Sequence, residues 1–134
     1  MAKTIADYGL RARLDMPYEQ AVEKVTAALK EEGFGVLTEI DVKATLKKKL
    51  DADFRSYIIL GACNPPLAHQ ALSTELAIGL LLPCNVIVYE EDGGSVLSIV
   101  DPISMLGVVE SAELEPVADD ARARLERVIE AVSS

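Results

Sequence analysis

Tryptophan is absent from the 134 residues, histidine occurs once, cysteine occurs twice, and aromatic side chains make up only 4 %. So few rings remove the stacking platforms on which single-stranded nucleic acid is held. Positive charge is also short: 13 Lys and Arg face 22 Asp and Glu, for a formal charge of -9. A chain of that sign repels polyphosphate and anionic lipid, so neither nucleic acid nor a membrane is an expected partner. Long apolar runs are missing too. Half the residues are hydrophobic, yet no window stays uncharged and apolar for the roughly 20 residues that a membrane span needs. The opening "MAKTIADYGLRARL" lacks the apolar core and cleavage site of a secretory signal. The expected address is the cytoplasm, where two cysteines are more often free thiols than a disulfide.

Catalytic signatures are likewise lacking. No G-x-S-x-G elbow, no H-E-x-x-H and no cysteine pair two residues apart occurs, which removes the motif-based hydrolase, zincin and thioredoxin readings. No glycine-rich phosphate loop follows the first strand, as a dinucleotide fold requires.

What is present is a chain of a size to form one domain, residues 1–134, with its own core. "IADYGLRARL" alternates as a first strand. "PYEQAVEKVTAALKEEG" switches to helical spacing, with Tyr18, Ala21, Val22, Val25, Ala28 and Leu29 on one stripe, Pro17 suited to a first turn and Gly33 placed to close the helix at positive φ. "FGVLTEI" is a second strand. Asp41 can cap a short helix whose Val42, Leu46 and Leu50 share a face, and Lys47, Lys48 and Lys49 complement the negative end of its dipole. "YIILGAC" is a buried interior strand. "NVIVYEEDGGSVLSIV" holds two strand patterns around a turn at Asp92, Gly93 and Gly94. Asp101 and Pro102 open a helix or turn whose Met105 and Leu106 are expected against the sheet. A final helix begins near Pro116 and repeats apolar residues at Val117, Ala121, Leu125, Val128, Ile129 and Val132. This order predicts an α+β two-layer sandwich, a mostly antiparallel sheet with the helices on one face, rather than a doubly wound parallel fold.

The segment "GACNPPLAHQALSTELAIGLLLPC", Gly61 to Cys84, gathers both cysteines, the histidine and a glutamate in an apolar row. Cys63 ends a strand, Asn64 can cap the next helix, and Pro65 or Pro66 fits its first turn. A thiol beside a helix N-terminus is placed to ionise, though a small buried hydrophobe ending a strand has the same sequence. Cys84 opens the following strand and approaches Cys63 only if the two strands are antiparallel neighbours. With His69 the spacing is C-x5-H-x14-C, three metal-ligand candidates where a closed zinc site uses four. Glu75 is a carboxylate projected into an apolar stripe, with a raised pKa, or an acceptor for backbone amides of the apolar loop, or a wet residue just past the end of the helix. Two readings follow. One is a pocket for a small molecule or peptide lined by Cys63, Asn64, Pro65, His69 and Cys84. The other is thiol or metal chemistry using Cys63, Cys84 and His69, with His69 or Glu75 handling protons. No cofactor is identified by either.

The blocks "EEGFGVLTEIDV", "LGACNPPLAHQAL" and "LLLPCNVIVYEE", with the later "DP", resemble the bacterial and archaeal domain-of-unknown-function family numbered 302 over nearly the whole chain. The resemblance implies a homodimer and half of a TATA-binding-protein-like fold, β-α-β4-α with inserted short helices. It also implies that the third and fourth strands are antiparallel, which favours proximity of Cys63 and Cys84. It transfers no activity, and a shape shared with a DNA-binding fold is no evidence of DNA binding on an acidic surface.

Overall fold

The computed structural model describes residues 8–133. Five strands, β1 (Gly9–Leu14), β2 (Gly35–Asp41), β3 (Tyr57–Cys63), β4 (Cys84–Glu91) and β5 (Gly94–Val100), form one sheet in the order β1-β5-β4-β3-β2. Every neighbouring pair is antiparallel. Residues 5–7 of the anticipated first strand lie outside the described region. Helix α1 (Tyr18–Glu31) carries the chain from β1 at one edge to β2 at the other, and α5 (Glu115–Ser133) runs beside it. This is the β-α-β4-α plan, interrupted by α2 (Val42–Leu50), α3 (Pro65–Thr74) and α4 (Pro102–Gly107).

The ends of α1 show how local chemistry sets the frame. Gly33 sits at φ +85°, its N–H donates to the Lys30 carbonyl at 3.0 Å, and the Phe34 N–H donates to the Leu29 carbonyl at 2.9 Å. Those paired bonds satisfy carbonyls that the helix leaves open, and a left-handed residue is needed to make them. Phe34 and Leu29, both buried, supply the apolar contact that accompanies the motif. The chain is thereby turned directly into β2. At the other sharp reversal, Asp92 (φ 48°) and Gly93 (φ 79°) form the two-residue turn between β4 and β5, a conformation matching the twist of the flanking strands.

The core lies between the sheet and the two long helices. Ala21, Val25 and Leu29 of α1, and Leu125, Val128 and Ile129 of α5, pack on Leu60, Val86, Val88, Leu97 and Ile99. A second cluster sits at the end of the sheet: Ala71 of α3, Ile78 of the 3-10 turn Leu76–Leu81, Leu106 of α4, Leu114, and Val117 and Ala118 of α5. Leu106 and Met105, expected against the sheet, belong here instead, because α4 leaves β5 over the sheet's end and meets α5 and the 3-10 turn. Asp101 fixes that exit. Its carboxylate accepts from the Ile103 N–H at 2.9 Å and pairs with Arg122 of α5 at 2.9 Å.

Helix α2 is the exception to burial. Asp41 caps it through the Ala44 N–H at 2.9 Å, and its last turn is basic, as the spacing implies. However, its Val42, Leu46 and Leu50 stripe buries no residue within the chain. Together with Ile40 and Phe54, Leu50 leaves the β2–α2 arm with exposed large apolar side chains. On the sheet face opposite the long helices, Tyr57 and Tyr89 stack at 5.3 Å, with the Arg55 guanidinium 5.9 Å from the Tyr89 ring centroid. No described helix is long and apolar enough to cross a membrane.

Candidate functional site

Where β3 ends and β4 and α3 begin, the sheet gives way to a cleft of about 400 Å³. Its walls come from parts of the chain far apart in sequence. Leu37 and Thr38 of β2 stand on one side, Leu67, Ala71 and Leu72 of α3 on another, and Gly79, Leu82 and Pro83 lead into β4. Met105 of α4 and Val117 and Ala121 of α5 close the inner end, with Ala62, Cys63, Asn64 and Cys84 between them. Among the described residues, no Asp, Glu, Lys, Arg or His lines it.

The antiparallel register sets Cys84 opposite Ala62, one residue from Cys63, so both thiols reach the same cleft. Both are free. Burial pushes the Cys84 thiol up to about 11, and the nearby Cys63 thiol adds to the rise. Cys84 therefore stays neutral at physiological pH, and a neutral thiol is a poor nucleophile and a poor metal ligand. Cys63 is half-buried. The first amides of the helix beside it are missing or engaged. Pro65 and Pro66 have none, the Leu67 N–H donates to Asn64 Oδ1 at 3.3 Å, and the Ala68 N–H donates to the Asn64 carbonyl at 2.9 Å.

Asn64 is buried, and its role is larger than the cap read from sequence. Its Nδ2 also donates to the Glu32 carbonyl at 3.5 Å, to which Arg124 of α5 donates at 3.1 Å. A Cβ on Gly33 would lie 2.9 Å from Asn64 Nδ2, so the glycine that closes α1 also admits the side chain fixing one wall of the cleft. The C-terminus of α1, the N-terminus of α3 and the middle of α5 thus meet at one carbonyl.

The remaining candidates part company with the cleft. Pro65 and His69 are exposed on α3 and do not line it. His69 therefore does not join the two sulfurs, and among the described residues no group of three or more His, Cys, Asp or Glu side chains is arranged to hold a metal ion. Glu75 is exposed, because α3 has ended at Thr74 and the chain is extended there. Its carboxylate accepts from the Ala77 N–H at 3.0 Å and so caps the 3-10 turn. Of the anticipated lining, Cys63, Asn64 and Cys84 converge. The walls supplied by β2, α4 and α5 had no local signal, since leucine, methionine and alanine at helical or strand spacing read as core.

No curated protein matches the chain. Among solved structures it is similar to one described as "uncharacterized conserved protein DUF302 from Bacillus stearothermophilus", at 30% sequence identity and a TM-score of 0.87, with 95% of this chain and 99% of that chain covered. The model of the family "Domain of unknown function DUF302" matches residues 10–132. The β-α-β4-α sheet and the cleft at its end are thus features of a chain that belongs to the DUF302 family.

Proposed function

We propose that this protein is a cytoplasmic binding module whose cleft between Cys63 and Cys84 takes a small apolar molecule. The observation that carries the reading is a volume of about 400 Å³ bounded by aliphatic side chains, within the range of sites for drug-sized ligands. A site built for group transfer or hydrolysis would gather a base, an acid or an oxyanion donor. The lining here offers two thiols, one of them held neutral, together with a hydroxyl from Thr38 and an amide on Asn64 that is already engaged. Binding rather than catalysis is what such a surface does best.

Titration with Nile red, a neutral solvatochromic dye, tests the reading. We expect saturable emission at one dye per chain, lost in Gly79→Phe. A Cβ at Gly79 meets only Leu72 Cδ2, at 4.0 Å, so this substitution fills the cleft from its wall without forcing the backbone. Dye binding that does not saturate, or that survives Gly79→Phe, would count against the cleft.

The same reading has the module working as a homodimer through the β2–α2 arm. Leu50 is 70 % exposed and Phe54 43 %, and the four lysines of α2 lie on a chain whose net charge is -9, so a second copy offers both an apolar and an oppositely charged surface. Sedimentation equilibrium should give a dimer that Leu50→Glu dissociates. A monomer in the wild type at high micromolar concentration would remove this part.

A further inference from the structure

We infer that the cleft selects uncharged ligands and discriminates against apolar anions such as ionised fatty acids. This inference rests on the binding function proposed above and names its ligand class. Proteins that hold the carboxylate of an acyl chain place a guanidinium, an ammonium or free backbone amides at the mouth or the base of the pocket, because a desolvated carboxylate without such a partner is strongly disfavoured. Among the described residues, no guanidinium, ammonium or imidazole lines this cleft.

Among the described residues, no Lys, Arg or His lines the cleft. The N-terminus of α3, which points at the cleft and would otherwise be an anion site, has two prolines without N–H groups, and its next two amides donate to the Asn64 side chain and carbonyl. The Arg124 guanidinium, near the Asn64 corner, is committed to the Glu32 carbonyl at 3.1 Å and to the Asp120 carboxylate at 2.9 Å. Arg122, on the same helix, is paired with Asp101 at 2.9 Å. His69 is on the exposed side of α3, away from the lining. The chain as a whole carries -9, so its far field also repels anions.

A neutral head group meets a different environment. The Thr38 side chain lines the cleft from the exposed edge strand, and an uncharged head group left beside it at the open mouth carries no charge to desolvate. Alcohols, esters, aldehydes and plain hydrocarbons therefore lose little on entry, and each methylene buried contributes about 0.8 kcal/mol. Chain length sets affinity in this cleft, and head-group charge sets selection.

Isothermal titration of the full chain at pH 7.5 with 1-decanol and with sodium decanoate, which share a ten-carbon chain, is the test. Decanol is expected to bind at least about tenfold more tightly than decanoate, a floor well below what burying an unpaired charge costs. Gly79→Phe should abolish decanol binding while leaving the thermal midpoint unchanged. Decanoate binding as tightly as decanol, with both lost in Gly79→Phe, would overturn the selection for neutral ligands and leave the pocket standing. No binding of either, with no Nile red binding, would overturn the pocket itself.

Discussion

Gly33 carries two demands at once, a left-handed φ and the absence of a Cβ beside Asn64 Nδ2. Gly33→Ala should therefore cost about 1–3 kcal/mol, more than a glycine under strain alone, and lower the denaturant midpoint with no change in slope. Asn64→Ala should be as damaging, because it leaves the Leu67 N–H without its cap and one donor fewer on the Glu32 carbonyl. Cys84 gives a pH signature. An unfolded thiol titrates near 9 and the native one near 11, so between those values the unfolded chain has released a proton that the native chain keeps. Stability is then present in full below pH 9 and falls as pH rises towards 11, by roughly 2–3 kcal/mol. Urea unfolding at pH 8 and pH 10.5 should show the loss in wild type and a smaller loss in Cys84→Ala. The comparison with the variant matters because Tyr18 and Tyr57 are also raised and act in the same direction at higher pH. Asn64 as a cap was legible because proline follows it; its reach to Glu32 was not, because 32 residues separate the two.

The elements divide into those whose apolar stripe is buried and α2, whose stripe is at most half-buried. In α5, Leu125 is fully buried against the sheet, and Leu125→Ala should cost about 2–5 kcal/mol. In α2, Leu50 stands on an equally regular stripe and is 70 % exposed, so Leu50→Ala should change monomer stability by no more than about 0.5 kcal/mol. Measuring both by urea unfolding at a concentration where the chain is monomeric separates the cases. Val42, Leu46 and Leu50 were read correctly as one face, but periodicity reports only that a face exists and not that anything covers it. The 3-10 turn Leu76–Leu81 shows the same limit. Its apolar run could be continued helix or loop, and Glu75 could be core or water-exposed, until the extended backbone at Glu75 decided both.

At the scale of the whole molecule, 22 acidic side chains on a chain of 134 residues set a self-repulsion that salt screens over about 8–10 Å. Raising sodium chloride from 20 to 300 mM should raise the thermal midpoint, and a fall would mean that the ion pairs of Asp101, Glu32 and Asp120 outweigh that repulsion. Composition and local pattern determined a great deal of this protein by themselves. The alternating and 3.6-residue periods named the strands and long helices, glycine and proline placed the turns, and a final hairpin with no phosphate loop favoured an antiparallel sheet. These are short-range rules, in which a residue's neighbours in sequence are also its neighbours in space. Tertiary structure alone decided which walls face one another across the cleft. Leu37, Leu72, Met105 and Val117 come from four elements scattered along the chain and converge only because the sheet order β1-β5-β4-β3-β2 brings the ends of β2, β3 and β4 under α3, α4 and α5. It also decided that the charged and imidazole side chains point elsewhere, since which side of a helix meets a partner depends on packing over the whole core and not on the residues within one turn of it.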